Sequence, residues 1–155
     1  MKRLIFILVM SSLIITTGTT YGYFNDLQNT VVENSVIYIP GDDPADVKFP
    51  EGAKIYKEKC VVCHQLTGLG VPSAFPPLKE SDYLLADKKR AVEQVLNGSN
   101  EEMTVNGVAY TIPMPFQVNT HEDAVHVINY VLNAWGNDGG TIAIEEVKDI
   151  KVVRP

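Results

Sequence analysis

The chain has 155 residues, 45% of them apolar, with 13 Lys and Arg against 19 Asp and Glu and a formal charge of −6. This is enough for one domain with a short appended segment and too apolar for wholesale disorder. The acidic balance argues against a nucleic-acid partner, which a basic surface would serve, and favours a neutral or basic protein partner.

Residues 1–22 read as a signal peptide. Lys2 and Arg3 form a positive n-region, Leu4 to Ile15 is an apolar run, and the small residues from Thr16 to Gly22 permit cleavage after Gly18 or Gly22. The alternative is an uncleaved anchor, but the run is short of the ~20 apolar residues of a spanning helix. Membrane association is expected only if this segment is retained, and a periplasmic location otherwise. Residues 23–48 read as an irregular N-terminal arm, with a β-like run at Ser35–Ile39 and a turn cluster from Pro40 to Pro44.

A first helix is predicted from Pro50 or Glu51 to Cys60, opened by proline and an acidic residue, with Gly52, Ile55 and Tyr56 on one face. It leads into Cys60-Val61-Val62-Cys63-His64, which uses both cysteines of the chain. C-x-x-C-H is the spacing at which two thiols add across the vinyl groups of a haem while the next histidine reaches the iron. The expected cofactor is therefore one haem c, covalent through Cys60 and Cys63, with His64 as a metal ligand. Export fits this, because such haem is attached outside the bacterial cytoplasm.

After His64 comes a loop rich in breakers: Gly68, Gly70, Pro72, Pro76 and Pro77. Ser81 and Asp82 can cap a short helix and Asp87 a longer one, in which Ala91, Val92, Val95 and Leu96 face inward before Asn97-Gly98 stops it. Lys88, Lys89 and Arg90 sit at the end that the helix dipole disfavours for cations, and read as a solvated face. The last helix is predicted from a Thr120 cap through Ala124, Val127, Ile128, Val131, Leu132 and Trp135, ended by Gly136. The haem domain is thus 49–137, followed by a tail at 138–155 whose part from Thr141 to Val153 alternates apolar and charged residues, as an extended surface segment would. A domain this small builds a thin core, which a covalent macrocycle would supplement.

A six-coordinate iron needs a second axial ligand, for which Met103, Met114, His121 and His126 are candidates. Met114 is favoured. It lies in Ile112-Pro113-Met114-Pro115-Phe116, where flanking prolines exclude a regular helix and stiffen the segment that would aim a thioether at the metal. Core packing is its plainer reading. Met103 reads as a surface or packing residue, His121 as solvated, and His126 as exposed opposite the apolar stripe.

Together these residues resemble the class I c-type cytochromes, bacterial single-haem domains found alone or fused to periplasmic oxidoreductases. Gly52 and Tyr56 resemble the pair by which the first helix of that family crosses the last. Pro76-Pro77-Leu78 resembles the family's Pro-x-Leu, which implies that the Pro76 carbonyl accepts the His64 ring N–H. Asn106-Gly107 to Met114-Pro115 resembles the methionine-bearing segment, and Val127 through Asn137 the closing helix. The resemblance departs at Thr111-Ile112-Pro113, where relatives more often place a small flexible residue before the methionine. It implies an all-α cytochrome c fold: about four short helices around one covalent haem, with an irregular arm and an extended tail. It also implies a single-electron carrier rather than an enzyme, with oxidases, reductases or dehydrogenases as partners. An apolar rim at the haem edge is expected from Val61, Val62, Leu69, Val71 and Phe116.

A haem enzyme or gas sensor with an open sixth position is the alternative function. A haem-free thiol–disulfide oxidoreductase would place Cys60 and Cys63 at the start of a helix in a βαβ unit, whereas here they end one. Zinc is poorly served by two thiols and scattered histidines.

Overall fold

The computed structural model describes residues 43–153. The expected signal peptide and the expected β-like run at Ser35–Ile39 lie outside the described residues. The rest is largely helical, as expected, with one small hairpin among the described residues.

The arm was expected to be irregular up to residue 48, yet its end is a helix, α1, Pro44–Lys48. Asp-Pro is a turn signal, but it is equally an N-cap followed by proline at the first helical position. The Asp43 carboxylate accepts the Ala45 N–H at 2.9 Å with one oxygen and the Trp135 N–H at 2.6 Å with the other. Ala45 is buried in the core.

The first predicted helix is present but wound unevenly. Helix α2, Pro50–Ile55, passes into a π-helical turn at Tyr56–Cys60 and then into α3, Val61–His64. The π turn inserts one residue into a single winding, so the Val61 N–H reaches back to Tyr56 and both Tyr56 and Cys60 face inward. Gln65 then takes φ +63, which ends the helix directly after the histidine, and the Tyr56 hydroxyl donates to the Gln65 carbonyl at 2.6 Å.

Helices α4, Asp82–Ala86, and α5, Lys88–Asn97, start where the caps predicted. Ser81 Oγ accepts the Leu84 N–H at 3.2 Å, and the Asp87 carboxylate accepts the Arg90 N–H at 2.9 Å. Ala91, Val92, Val95 and Leu96 are all buried. The basic run at the start of α5 is only in part the solvated face its composition suggested, Lys89 being exposed and Arg90 half-buried. Lys88 Nζ donates to the Thr141 carbonyl at 3.3 Å, Lys89 pairs with Asp149 at 2.9 Å, and Arg90 turns inward.

Strands β1, Met103–Val105, and β2, Val108–Tyr110, form an antiparallel hairpin that the periodicity did not predict. Its two-residue turn is Asn106-Gly107, with φ +50 and +79, the type that suits the twist of the strands. The tip is tied to α4: the Asn106 N–H donates to the Asp82 carboxylate at 2.7 Å, and Asn106 Oδ1 accepts the Asp82 N–H at 3.0 Å.

Helix α6, His121–Val131, begins at Thr120, whose hydroxyl accepts the Asp123 N–H at 3.1 Å. It stops a turn earlier than predicted. Asn133 donates to the carbonyls of Asn129 and Gly140 at 2.8 Å, diverting the backbone. Trp135 then adopts φ +57 inside a 3₁₀ turn, Ala134–Gly136. That excursion sends the indole back to Tyr56 and Tyr130, with ring centroids 5.0 and 5.9 Å away, and its N–H to the Leu66 carbonyl at 2.8 Å.

Two features close the core. Helix α2 crosses α6 at Gly52, where an added Cβ would lie 2.1 Å from the His126 carbonyl oxygen. The tail is only partly the surface segment expected: Ile142 and Val147 are buried, and Val147 follows a 3₁₀ turn at Ile144–Glu146. Asn129 and Ile142 exchange hydrogen bonds of 2.8 and 3.1 Å, and Asn97 holds the backbone at Lys151 and Val153. Alternation in this stretch distinguishes a face packed on α5 and α6 from a face in water.

Asn137 stitches the ends of this core together. Its amide donates to the Leu78 and Val131 carbonyls at 3.0 and 2.8 Å and accepts the Glu80 N–H at 2.8 Å, while the residue is only 8% exposed. Asn137→Ala leaves these buried groups unpaired, so a loss of about 2–4 kcal/mol is expected in denaturant unfolding.

Candidate haem site

A cavity of about 300 Å³ opens between α3, the loop after it, α5, the hairpin and the Pro113–Pro115 segment. Cys60, Cys63 and His64 stand on one wall and Met114 lines another. Leu84, Val95, Val105, Val127, Ile128 and Val131 supply apolar surface between them.

The π turn and α3 set the cysteine wall. Cys60 is buried at its end and Cys63 is half-buried one turn on. Burial, followed by the charge of nearby Cys63, pushes the Cys60 thiol up to about 12. A redox-active thiol needs the opposite shift. The oxidoreductase reading therefore loses its chemistry as well as its fold.

His64 is 9% exposed, and its Nδ1 lies 2.9 Å from the Pro76 carbonyl oxygen. A carbonyl can only accept, so Nδ1 carries the proton and Nε2 the lone pair. Burial holds the imidazole below its ordinary pKa, partly opposed by the Pro76 contact, which keeps the ring neutral at pH 7. A neutral, oriented imidazole with one bare nitrogen is a metal ligand in waiting. The Pro76 contact is the one that the Pro-Pro-Leu sequence implied.

The methionine wall is fixed by backbone. Ser99 and Met114 exchange two hydrogen bonds of 2.8 Å. Just beyond, the Gln117 N–H donates to the Val95 carbonyl at 2.8 Å, and Gln117 Nε2 to the Pro115 carbonyl at 2.7 Å. Gly98 is required here. It sits at φ +82, and a Cβ on it would meet the Met114 carbonyl oxygen at 2.6 Å. Ile112, in the Thr111-Ile112-Pro113 stretch where the resemblance departs, is 50% exposed and also lines the cavity.

The other candidates separate clearly. His126 is half-exposed, 3.8 Å from the Glu122 carboxylate, and does not line the cavity. His121 is half-buried rather than solvated, with Nε2 2.9 Å from the Ile150 carbonyl. Met103 departs from its expectation as a surface or packing residue, because β1 carries it onto the cavity wall. Sequence reading also missed Tyr83, Arg90 and Gln94 on that wall. Their signal was present, since Arg90 and Gln94 fall at i and i+4 beside the apolar Ala91 and Val95.

A family model described as cytochrome c matches residues 49–135. The chain belongs to the cytochrome c family. It is similar to cytochrome c-552 of Thermus thermophilus, 34% identical over 92 residues that span 56% of this chain and 70% of that protein. It is also similar to the cytochrome c subunit of a quinone alcohol dehydrogenase from Gluconobacter oxydans, 25% identical over 103 residues, 64% of this chain and only 22% of that much longer subunit. The subunit of the same description from Komagataeibacter europaeus is 24% identical over the same length.

As a member of this family the cytochrome binds haem c, and its cysteines stand at the family's attachment spacing. The site fits that group chemically: two thiols beside one bare imidazole nitrogen, a thioether on another wall, and apolar side chains between. Among the described residues no helix is long and apolar enough to cross a membrane.

Proposed function

We propose that this cytochrome is an exported single-haem electron carrier, with Cys60 and Cys63 bonded to the haem and His64 and Met114 as axial ligands. A bound haem supplies an iron centre that changes charge by one electron. The protein's part is to hold that centre closed and to set its preference between charges. Pro76 orients His64 and raises its donor strength. The thioether of Met114 favours the ferrous state, as does the apolar wall, by disfavouring extra charge.

The observation that carries this reading is the placement of His64 and Met114 on different walls of one apolar cavity, each anchored by backbone. Two anchored ligands suit outer-sphere transfer, because neither needs to leave. Val62, Leu69 and Phe116 are exposed by 82%, 57% and 43% and supply an apolar rim for a transient redox partner. Val61 and Val71 are half-buried and contribute less. The named relatives make a dehydrogenase one candidate class of partner. Export is supported by the leader-like residues 1–22 and by the compartment in which haem c is attached.

The test is Met114→Ala against Met103→Leu, with a spectrum and a potential measured for each. Met114→Ala is expected to keep covalent haem, lose the methionine–iron absorption band, lower the reduction potential and bind carbon monoxide rapidly when ferrous. Met103→Leu is expected to change none of these. If the two variants exchange behaviour, Met103 is the ligand. A parent protein that already binds carbon monoxide rapidly would mark an open coordination site and an enzyme or sensor.

A further inference from the structure

The segment that carries Met114 is closed by hydrogen bonds to Ser99, and Ser99 follows directly on the end of α5. Helix ends fray, because their last carbonyls lack partners within the helix. Gly98, at φ +82, stops α5 one residue before the pairing begins. A clamp built there holds no better than the helix end, unless something else secures that end.

The C-terminal tail secures it. Asn97, the last residue of α5, binds the tail with both atoms of its amide. Its Nδ2 donates to the Lys151 carbonyl at 2.9 Å, and its Oδ1 accepts the Val153 N–H at 2.7 Å. Upstream, Asp149 meets Lys89 at 2.9 Å, so the tail runs alongside α5 from its first turn to its last. Between these points the Ile150 carbonyl accepts from His121 Nε2 at 2.9 Å, on the first residue of α6. His121 stands beyond Met114 in the chain, after the Gln117 and Val118 N–H groups that both donate to the Val95 carbonyl. The tail therefore joins the two flanks of the methionine segment, one at Asn97 and the other at His121. Buried Val147 fixes its near end in the core. The tail lies beyond residues 49–135, so the family match does not account for it.

Resting on Met114 as the axial ligand, we propose that residues 149–153 are a strap that keeps the methionine segment closed, with Asn97 as the positioning residue through which it acts. Ligation belongs to the thioether. The strap sets how often the segment opens.

The experiment measures carbon monoxide binding to the ferrous, haem-loaded protein, which on that assignment must wait for the methionine to leave. Thermal loss of the methionine–iron band and the denaturant midpoint are recorded beside it. Val153→Pro deletes the N–H that Asn97 accepts, at a position 67% exposed, and Asn97→Ala deletes both bonds from the helix side. Both variants are expected to bind faster and to lose the band at lower temperature. For Asn97→Ala the rise is about tenfold, the factor that two lost hydrogen bonds make in an opening equilibrium. The double variant should bind no faster than Asn97→Ala, because both changes act on one contact. Asn133→Ala loses bonds to Asn129 and Gly140 at the opposite end of α6. It is expected to lower the midpoint and keep the parent's binding rate.

Parent rates in Asn97→Ala and Val153→Pro overturn the strap, as do effects that multiply in the double variant or a rise that Asn133→Ala matches. Should the variants fail to load haem, amide hydrogen exchange in the parent decides. The Val153 N–H must be protected along with those of Ser99 and Met114, and free exchange at Val153 overturns the proposal. A parent that already binds carbon monoxide rapidly removes the Met114 assignment itself. A slow parent with unchanged variants removes the strap alone.

Discussion

His64→Ala is expected to yield no haem-loaded protein. His64 is the residue on which the cysteine wall turns: its ring fills a buried position, its Nδ1 is fixed on Pro76, and its carbonyl accepts the Gly70 N–H at 3.0 Å. Removing the imidazole takes away the proposed iron ligand and leaves the Pro76 carbonyl without that donor. It also breaks the C-x-x-C-H pattern at the position that orients the macrocycle before the thiols react. The measurement is haem content of the exported protein by absorbance and intact mass, beside its total yield. Protein with normal covalent haem would contradict the role given to His64. Loss of haem with loss of all protein would be uninformative alone, so His64→Met serves as the partner variant: it keeps an iron ligand and volume and should recover part of the yield.

The largest loss of stability is expected from Gly52→Val. The contact is between backbones: a Cβ at Gly52 would stand 2.1 Å from the His126 carbonyl oxygen and 2.7 Å from Tyr130 Cβ. Neither is the tip of a flexible side chain, so α2 and α6 must separate. Separation would pull Tyr56 away from Tyr130, whose ring centroids are 5.4 Å apart, and from Trp135. The cost should exceed about 3 kcal/mol, above the usual range for overpacking because the obstacle is main chain. Small domains hold only about 5–15 kcal/mol in total. Gly52→Ala already adds the offending carbon and is expected to lower the denaturant midpoint sharply. A holoprotein variant with the parent's midpoint would show that the helices do not touch there. Haem content is measured in parallel, since slow folding and poor loading would accompany each other.

Most of the site was legible because it is local. Two cysteines and a histidine in five residues state their chemistry without reference to the fold, and two prolines around Met114 state a stiffness. The caps at Ser81, Asp87 and Thr120 were legible for the same reason, each being satisfied within three residues. What was not legible depends on residues far apart in the chain. Trp135 leaves the helix because Leu66 and Asp43 receive its two N–H groups. Arg90 reads as one of three surface cations until Tyr83 and the cavity are seen around it. The tail from Thr141 reads as extended because its partners on α5 and α6 are distant in sequence. The hairpin has only three residues in each strand, too few for alternation to announce it.

The backbone clamp on Met114 bears on speed as well as on affinity. A metal that changes charge relaxes toward new bond lengths, and the energy of that relaxation opposes each electron's arrival. Ser99 holds the methionine itself, while Val95 holds the chain three residues further on, and both partners belong to one rigid stretch at the end of α5. With Met114 as the proposed ligand, the thioether would hang from a backbone held on both sides when the iron's charge changes. On that proposal such a frame would lower the reorganisation that an electron must wait for, and fast exchange would rest on main-chain hydrogen bonds as well as on the ligand.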